Sequence, residues 1–196
     1  MTGFDIEQYW NEQTQSHIET ANKTATSLFG EFETILEKCT KAINSGNKIL
    51  FFGNGGSASD AQHLATELTV RFINDRAPIA AIALTTDTST LTAAGNDFGF
   101  EHIFSRQVDA IGQKDDIVIA LSTSGNSPNI TKALEMARGK NITTIGFSGR
   151  DGGKMKELCD HILIVPSDIT SNIQEMHILL GHMLCGGLEQ NLGLSA

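Results

Sequence analysis

Five short apolar runs, separated by stretches of helical periodicity, limit what this chain can fold into. They are KILFF (48–52), IAAIAL (79–84), DIVIAL (116–121), NITTIGF (141–147) and HILIV (161–165). Each is apolar at successive positions, as strands covered on both faces must be. The stretches between them have room for crossover helices. The units therefore read as βαβ, and the expected architecture is a three-layer α/β fold.

Ahead of the first run, residues 4 to about 45 carry a helical pattern. Ile18, Ala21, Ala25 and Leu28, then Phe32, Ile35, Leu36 and Cys39, recur at three- and four-residue steps. Asn44 to Lys48 (NSGNK) is a helix stop. Tyr9 and Trp10 sit far out on this segment, so it either contacts another subunit or folds back over its own domain. A last helix is expected from near Ser171 to about Asn191. Neither a linker nor a low-complexity segment is visible, which points to one domain over 1–196, with residues 1–46 as an N-terminal helical extension.

Composition excludes several classes. No apolar run approaches the roughly 20 residues that span a bilayer, and the polar, acidic MTGFDIEQYWNEQTQ start is unlike a signal peptide. Cys39, Cys159 and Cys185 are scattered, with no CxxC spacing. Three cysteines so placed fit a reducing cytoplasm better than a disulfide framework. The net charge of −9 argues against a nucleic-acid surface. An anionic ligand would need local donors.

Such donors are visible at two strand–turn–helix junctions, FFGNGGSAS and ALSTSGNSPN. In open α/β sheets, ligands bind beyond the carboxyl ends of the strands, and both junctions lie there. In the second, Ser127 before Pro128 reads as an N-cap followed by proline at the first helical position. The free N–H groups of that helix start favour an anion. Ser122, Thr123, Ser124 and Ser127 add four hydroxyls, and Gly125 permits a tight turn. An ordinary capped turn has fewer hydroxyls, so a phosphate is the better reading. It is not a Walker loop, because no G-K-[ST] follows.

In the first junction, Ser59 and Gln62 fit a capping box that starts a helix near Asp60. His63 and Glu67 then share one helix face, spaced to hold a metal or a proton path. Such pairs are often plain surface contacts; the position behind GNGGS gives this one weight. Further on, SNIQEMHILLGHMLC (171–185) carries Gln174, Glu175, His177 and His182. Ser171 and Gln174 also fit a capping box. Gln174 and His182 are about 12 Å apart in helix rise and about 80° apart in direction, so one straight helix does not easily bring both to one ion; if both are site residues, either the helix start bends or the two serve sites in different subunits. Asn96 and Asp97 fall in a break between helical stretches, either as a turn or directed at sugar hydroxyls. RDGGKM (150–155) reads as a glycine turn with no assigned role.

Together these segments resemble the sugar isomerase (SIS) domain family and, within it, the phosphoheptose isomerases. The resemblance rests on GNGGSASDAQHLATEL, GNDFGFEHIFSRQV, STSGNSPNI, GFSGRDGGKM and IQEMHILLGH in that order, and covers nearly the whole chain. It implies a five-stranded parallel sheet between helices, and a homotetramer with active sites near subunit interfaces. It further implies one divalent metal per subunit, usually zinc, on His63, Glu67, Gln174 and His182. Substrate contacts would fall on Asn54, Gly55, Gly56, Glu67, Asn96, Asp97, Ser122, Thr123, Ser124, Ser127 and Gln174, with Glu67 and His182 as the acid/base pair. The implied reaction converts sedoheptulose 7-phosphate to D-glycero-D-manno-heptose 7-phosphate through an enediol, in heptose supply for lipopolysaccharide or a surface glycan. Two departures stand out: Asn172 where several relatives carry Arg, and TVRF (69–72) where some have TGRY.

Other SIS relatives are non-enzymatic tetramers that bind the replication initiator DnaA, and their position matching Glu67 is typically not acidic. Still others only sense sugar phosphates, usually beside a second domain. The presence of Glu67, Gln174 and His182 favours the enzyme.

Overall fold

The computed structural model describes residues 3–194. Among these residues, five strands form one parallel sheet in the order β2-β1-β3-β4-β5. They are β1 (Ile49–Gly53), β2 (Ala81–Ala83), β3 (Ile117–Ser122), β4 (Thr143–Gly149) and β5 (His161–Val165). β2 and β5 fall within their apolar runs, while β1 and β3 extend one residue and β4 two residues past the carboxyl ends of theirs.

Alternate residues of a strand feed opposite layers, as the pleat requires. Ile49 and Phe51 of β1, with Ile117, Ile119 and Leu121 of β3, join the core beneath α2 (Phe29–Asn44), α3 (Gly56–Thr69) and α8 (Thr170–Asn191). Leu50, Phe52, Val118 and Ala120 face the other core. That layer is built from α4 (Thr88–Phe98), a single 3-10 turn (Phe100–His102), α5 (Ser105–Ile111), α6 (Pro128–Gly139) and α7 (Met155–Leu158).

The N-terminal extension is two helices rather than one continuous pattern. α1 (Ile6–Ser27) ends at Leu28, and α2 begins there. Near the break, the Thr26 and Ser27 hydroxyls donate to the Lys23 carbonyl, which otherwise serves the helix ladder. Such back-bonding weakens a helix. The second half of α1 packs on the domain through buried Thr20 and Thr24. Buried Asn172 ties it to α8 by donating to Ser16 Oγ at 2.6 Å. The first half projects outward, with Trp10 69% exposed beside exposed Phe4, Ile6 and Tyr9.

The strand order places a topological switch between β1 and β3. The crossover from β1 leads to β2 on one side, while β3 pairs on the other, with Gly53 opposite Leu121. The two glycine- and serine-rich junctions therefore leave the sheet as neighbours, at the crevice where such folds place ligands.

Candidate active site

The first junction turns sharply into α3. The helix starts at Gly56 with Gly55 as its N-cap, a turn earlier than the Ser59–Gln62 capping box predicts. The reason is the approach of α8. A Cβ on Gly56 would fall on the end of the Gln174 side chain, so a larger residue here would have to displace that amide. α3 and α8 then run side by side in the same direction. Gln174 meets Gly56 at one end, Gly181 lies against Leu64, and His182 meets His63 further along.

At that far end three donors converge. His63 Nε2 is 2.8 Å from His182 Nε2 and 3.3 Å from Glu67 Oε1. Their ligand atoms all lie within 4.8 Å of one another. Two imidazole nitrogens and a carboxylate oxygen are a donor set suited to zinc and similar divalent ions. A half-stacked Phe72 ring covers His182, with centroids 5.3 Å apart.

The sequence reading did not single out Asp60, which bridges the two ends of this seam. Burial pushes its carboxyl up, while hydrogen bonding from Gln174 and the nearby His63 and His182 pull the other way. Its Oδ2 is buried with no hydrogen-bond partner. A buried carboxylate oxygen left unpaired beside two imidazoles fits a site completed by a cation. The spacing of Asp60 three residues before His63, on the same helix face, was the available signal. Gln174 thus lies on the same seam at the Asp60 end, with α8 unbroken between it and His182.

The second junction forms a different kind of surface. Ser122 is buried, and its hydroxyl oxygen accepts from the Gly125 amide at 3.2 Å. Gly125 sits at φ 65°, and a Cβ there would strike the Gly152 carbonyl. The loop is thereby pressed onto RDGGKM, which had no assigned role. That segment holds it by hydrogen bonds from Met155 N to Gly125 O and from Lys154 N to Asn126 Oδ1. Thr123, Ser124 and Ser127 are partly exposed. Ser127 occupies the N-cap of α6, before Pro128, but its hydroxyl makes no capping bond.

A pair of amides links the junctions. Asn54 and the buried Asn129 exchange hydrogen bonds of 2.9 and 2.8 Å. Asn129 was also missed, although it sits one residue after Pro128. Beside this pair opens a cavity of about 620 Å³, lined by Asn54, Ser127, Pro128, Asn129 and Phe98 to Glu101. Asn96 and Asp97 do not lie in a break as expected. They occupy the exposed last turn of α4, where Asn96 donates to Asp97 Oδ1 at 2.7 Å. The break comes at Gly99, and Phe98 to Glu101 line the cavity, with Asn96 and Asp97 just before them on α4.

His177 and Glu175 of α8 stand apart from the donor cluster. Glu175 pairs with His17 of α1 at 2.7 Å. His177 is fully buried and bonds the Ser148 carbonyl at 3.0 Å.

Known proteins share this fold. Residues 10–149 match the SIS domain family. The phosphoheptose isomerase of Paramagnetospirillum magneticum is 52% identical over 181 residues, covering 92% of this chain and 94% of that protein. The structure of phosphoheptose isomerase GmhA from Neisseria gonorrhoeae superposes with a TM-score of 0.90 at 39% identity, over 95% of this chain and 100% of that one. A phosphoheptose isomerase from Francisella tularensis gives 0.93 at 37% identity, with the same coverage. This chain belongs to the SIS domain family, among the phosphoheptose isomerases.

Proposed function

We propose that this protein interconverts sedoheptulose 7-phosphate and D-glycero-D-manno-heptose 7-phosphate. The observation that carries this reading is the convergence of His63 and Glu67, on the helix that leaves β1, with His182 of α8, while the neighbouring strand, β3, opens into a loop of hydroxyls. Ketose-to-aldose conversion moves a proton between C1 and C2 through an enediol. It needs a base for the carbon-bound proton and an acid for the carbonyl oxygen. Glu67 takes the first role and His182 the second, because they sit together and can exchange the proton locally. The same carboxylate beside two histidines favours the enzyme over a DnaA-binding tetramer.

His63, Glu67, Gln174 and His182 are the residues that would hold one divalent ion per subunit, with zinc the best match to the donors. When bound, such an ion supplies Lewis-acid polarisation of the substrate carbonyl. Thr123, Ser124 and Ser127, with the N–H groups opening α6, hold the phosphate. Ser122 serves the same group by shaping the turn. Asn54, Gly55 and Gly56 line the sugar, and Asn96 and Asp97 contact it from the end of α4. Anchoring the phosphate fixes the far end of the substrate and presents C1 and C2 to Glu67.

The reading also covers assembly and setting. Residues 1–196 act as one SIS domain, with 1–46 as its helical extension. The exposed apolar strip of α1, with Leu179 and Met183 on α8, supports a homotetramer with active sites near its interfaces. Among the described residues, no helix is long and apolar enough to cross a membrane. A cytoplasmic enzyme supplying heptose for lipopolysaccharide or another surface glycan fits these features, with neither nucleic acid nor membrane as a partner.

The test is turnover of sedoheptulose 7-phosphate by purified protein, before and after stripping with a chelator and after adding zinc back. Activity lost on stripping and restored by zinc is expected. No turnover in the zinc-loaded protein would sink the assignment.

A further inference from the structure

We infer that the buried Arg76–Glu189 ion pair is the positioning device for Glu67 and His182; this rests on the reading of those two residues given above. The link between α3 and β2, residues 70–80, has no regular structure. An irregular segment behind a site of close tolerances needs something to fix it. Here the fixing group is Glu189, two turns beyond His182 on the same face of α8. Its carboxylate accepts from the amides of Phe72, Ile73 and Asn74 at 3.2, 3.4 and 3.4 Å, and from Asn74 Nδ2 at 3.1 Å. It also accepts from Arg76 Nε at 2.8 Å. The two side chains are 2% and 1% exposed.

Arg76 spends its remaining donors on the end of α3. Nη2 donates to the carbonyl of Glu67 at 2.8 Å, and Nη1 to those of Leu68 at 2.8 Å and Ala77 at 3.0 Å. The carbonyls of a last helical turn lack partners in the helix, and a guanidinium fork is shaped to collect them. One end of the ion pair therefore grips the backbone of the proposed base. The other end acts on the proposed acid. Glu189 holds Phe72 by its amide, and the Phe72 ring lies 5.3 Å from the His182 ring at 21° between planes.

Burial alone would push the Glu189 carboxyl up. The Phe72 amide, the Arg76 guanidinium and the Asn74 amide outweigh it, and the group stays below the usual carboxylate range. A buried ion pair is a poor source of net stability, since apolar residues of similar volume often do as well. Its distinctive property is geometry. No apolar staple could place the Glu67 backbone and the His182 ring through a single carboxylate.

Glu189→Gln keeps the shape and removes the charge, and Arg76→Lys keeps the charge and removes the fork. Zinc affinity of the stripped protein, by competition with a chromophoric chelator, is expected to fall roughly 10–100-fold in both. The value of kcat should fall by a similar factor, with KM within about 3-fold, because the pair touches neither substrate nor phosphate loop. A lower melting temperature with wild-type zinc affinity and kcat, measured well below the melt, would overturn the inference. Should both variants fail to fold, Phe72→Leu decides. It leaves the ion pair intact and removes only the ring over His182. The His182 imidazole NMR signals should shift and zinc affinity should drop several-fold; unchanged signals and affinity would overturn the inference. A zinc-binding wild type that does not turn over sedoheptulose 7-phosphate would sink the substrate assignment alone, leaving affinity and ring signals to judge the pair.

Discussion

The two junctions at the switch point look alike in sequence and differ in kind. GNGGSAS and STSGNSPN both leave a strand, turn on glycine and open a helix. The first carries its ionisable groups one to three turns inside its helix, at Asp60, His63 and Glu67, and needs α8 to complete them. The second carries none. Its polar groups lie in the turn and in the first amides of α6, braced from behind by RDGGKM. Charge movement is assigned to a seam between two helices, and charge anchoring to a loop. The two meet at their edge, through Asn54 and Asn129.

The largest effect should come from the seam. Glu67→Gln keeps the size and hydrogen-bonding reach of the side chain but removes the base. A loss of about 10²–10⁴-fold in kcat is expected, with KM for sedoheptulose 7-phosphate changed little. If KM rose instead and kcat held, Glu67 would belong with the anchoring residues and the contrast between junctions would be wrong. Next is Gly56→Ala. The new methyl displaces the Gln174 amide without touching any ionisable group. A drop of about 10-fold in zinc affinity and turnover is expected, by analogy with other ligand-orienting contacts. Wild-type zinc affinity in this variant would remove Gln174 from the ligand set.

Loop substitutions should read out differently. Ser127→Ala deletes a hydroxyl at an N-cap, which usually costs about 1 kcal/mol. Because this hydroxyl makes no capping bond, stability should change by less than that. A hydrogen bond to a charged group is worth about 1.5–3 kcal/mol, so KM should rise about 10-fold or more while kcat stays near wild type. A stability loss with normal KM would make Ser127 an ordinary cap.

How much of this was legible depended on the range of the interaction involved. The five strands and the long last helix were, because burial on both faces and a 3.6-residue period are local patterns. The hydroxyl loop was, because its donors are adjacent in sequence. The start of α3 was not: Ser59 and Gln62 offered a plausible cap, but Gly55 and Gly56 prevailed because Gln174, over a hundred residues away, packs there. The helix arithmetic for Gln174 and His182 treated α8 by itself. A parallel neighbour turns their separation into two ends of one seam, bridged by Asp60. RDGGKM and Asn129 stayed silent because each acts on a partner loop that no local pattern names.

α8 serves both junctions, and its two histidines give the smallest and sharpest test. His182 faces the seam. His177 points the other way, donating from Nε2 to the Ser148 carbonyl, since a carbonyl can only accept. The Ser148 hydroxyl in turn donates to the Ser122 carbonyl at the root of the hydroxyl loop. His177 Nδ1 is buried without a partner. Burial pushes the imidazole down to about 4, against the raising effect of the Ser148 bond. An unfolded histidine titrates near 6.5. Between those values the unfolded chain binds a proton that the folded chain refuses, so stability is full above about 6.5 and falls as pH drops toward 4. The shift corresponds to about 3 kcal/mol. Asp116 and Glu189, both lowered in the fold, lose their contribution only below the ordinary carboxylate values near 4, whereas Asp60, raised by burial, acts above that value with the opposite sign, so the difference between wild type and a His177 variant isolates the histidine. Urea unfolding of metal-free protein at several pH values should show this slope, and His177→Asn should flatten it. Its KM should rise no more than about 3-fold, since only the root of the loop is loosened. An unchanged slope would mean that His177 opens to water readily, and that α8 braces the anchoring loop by packing alone.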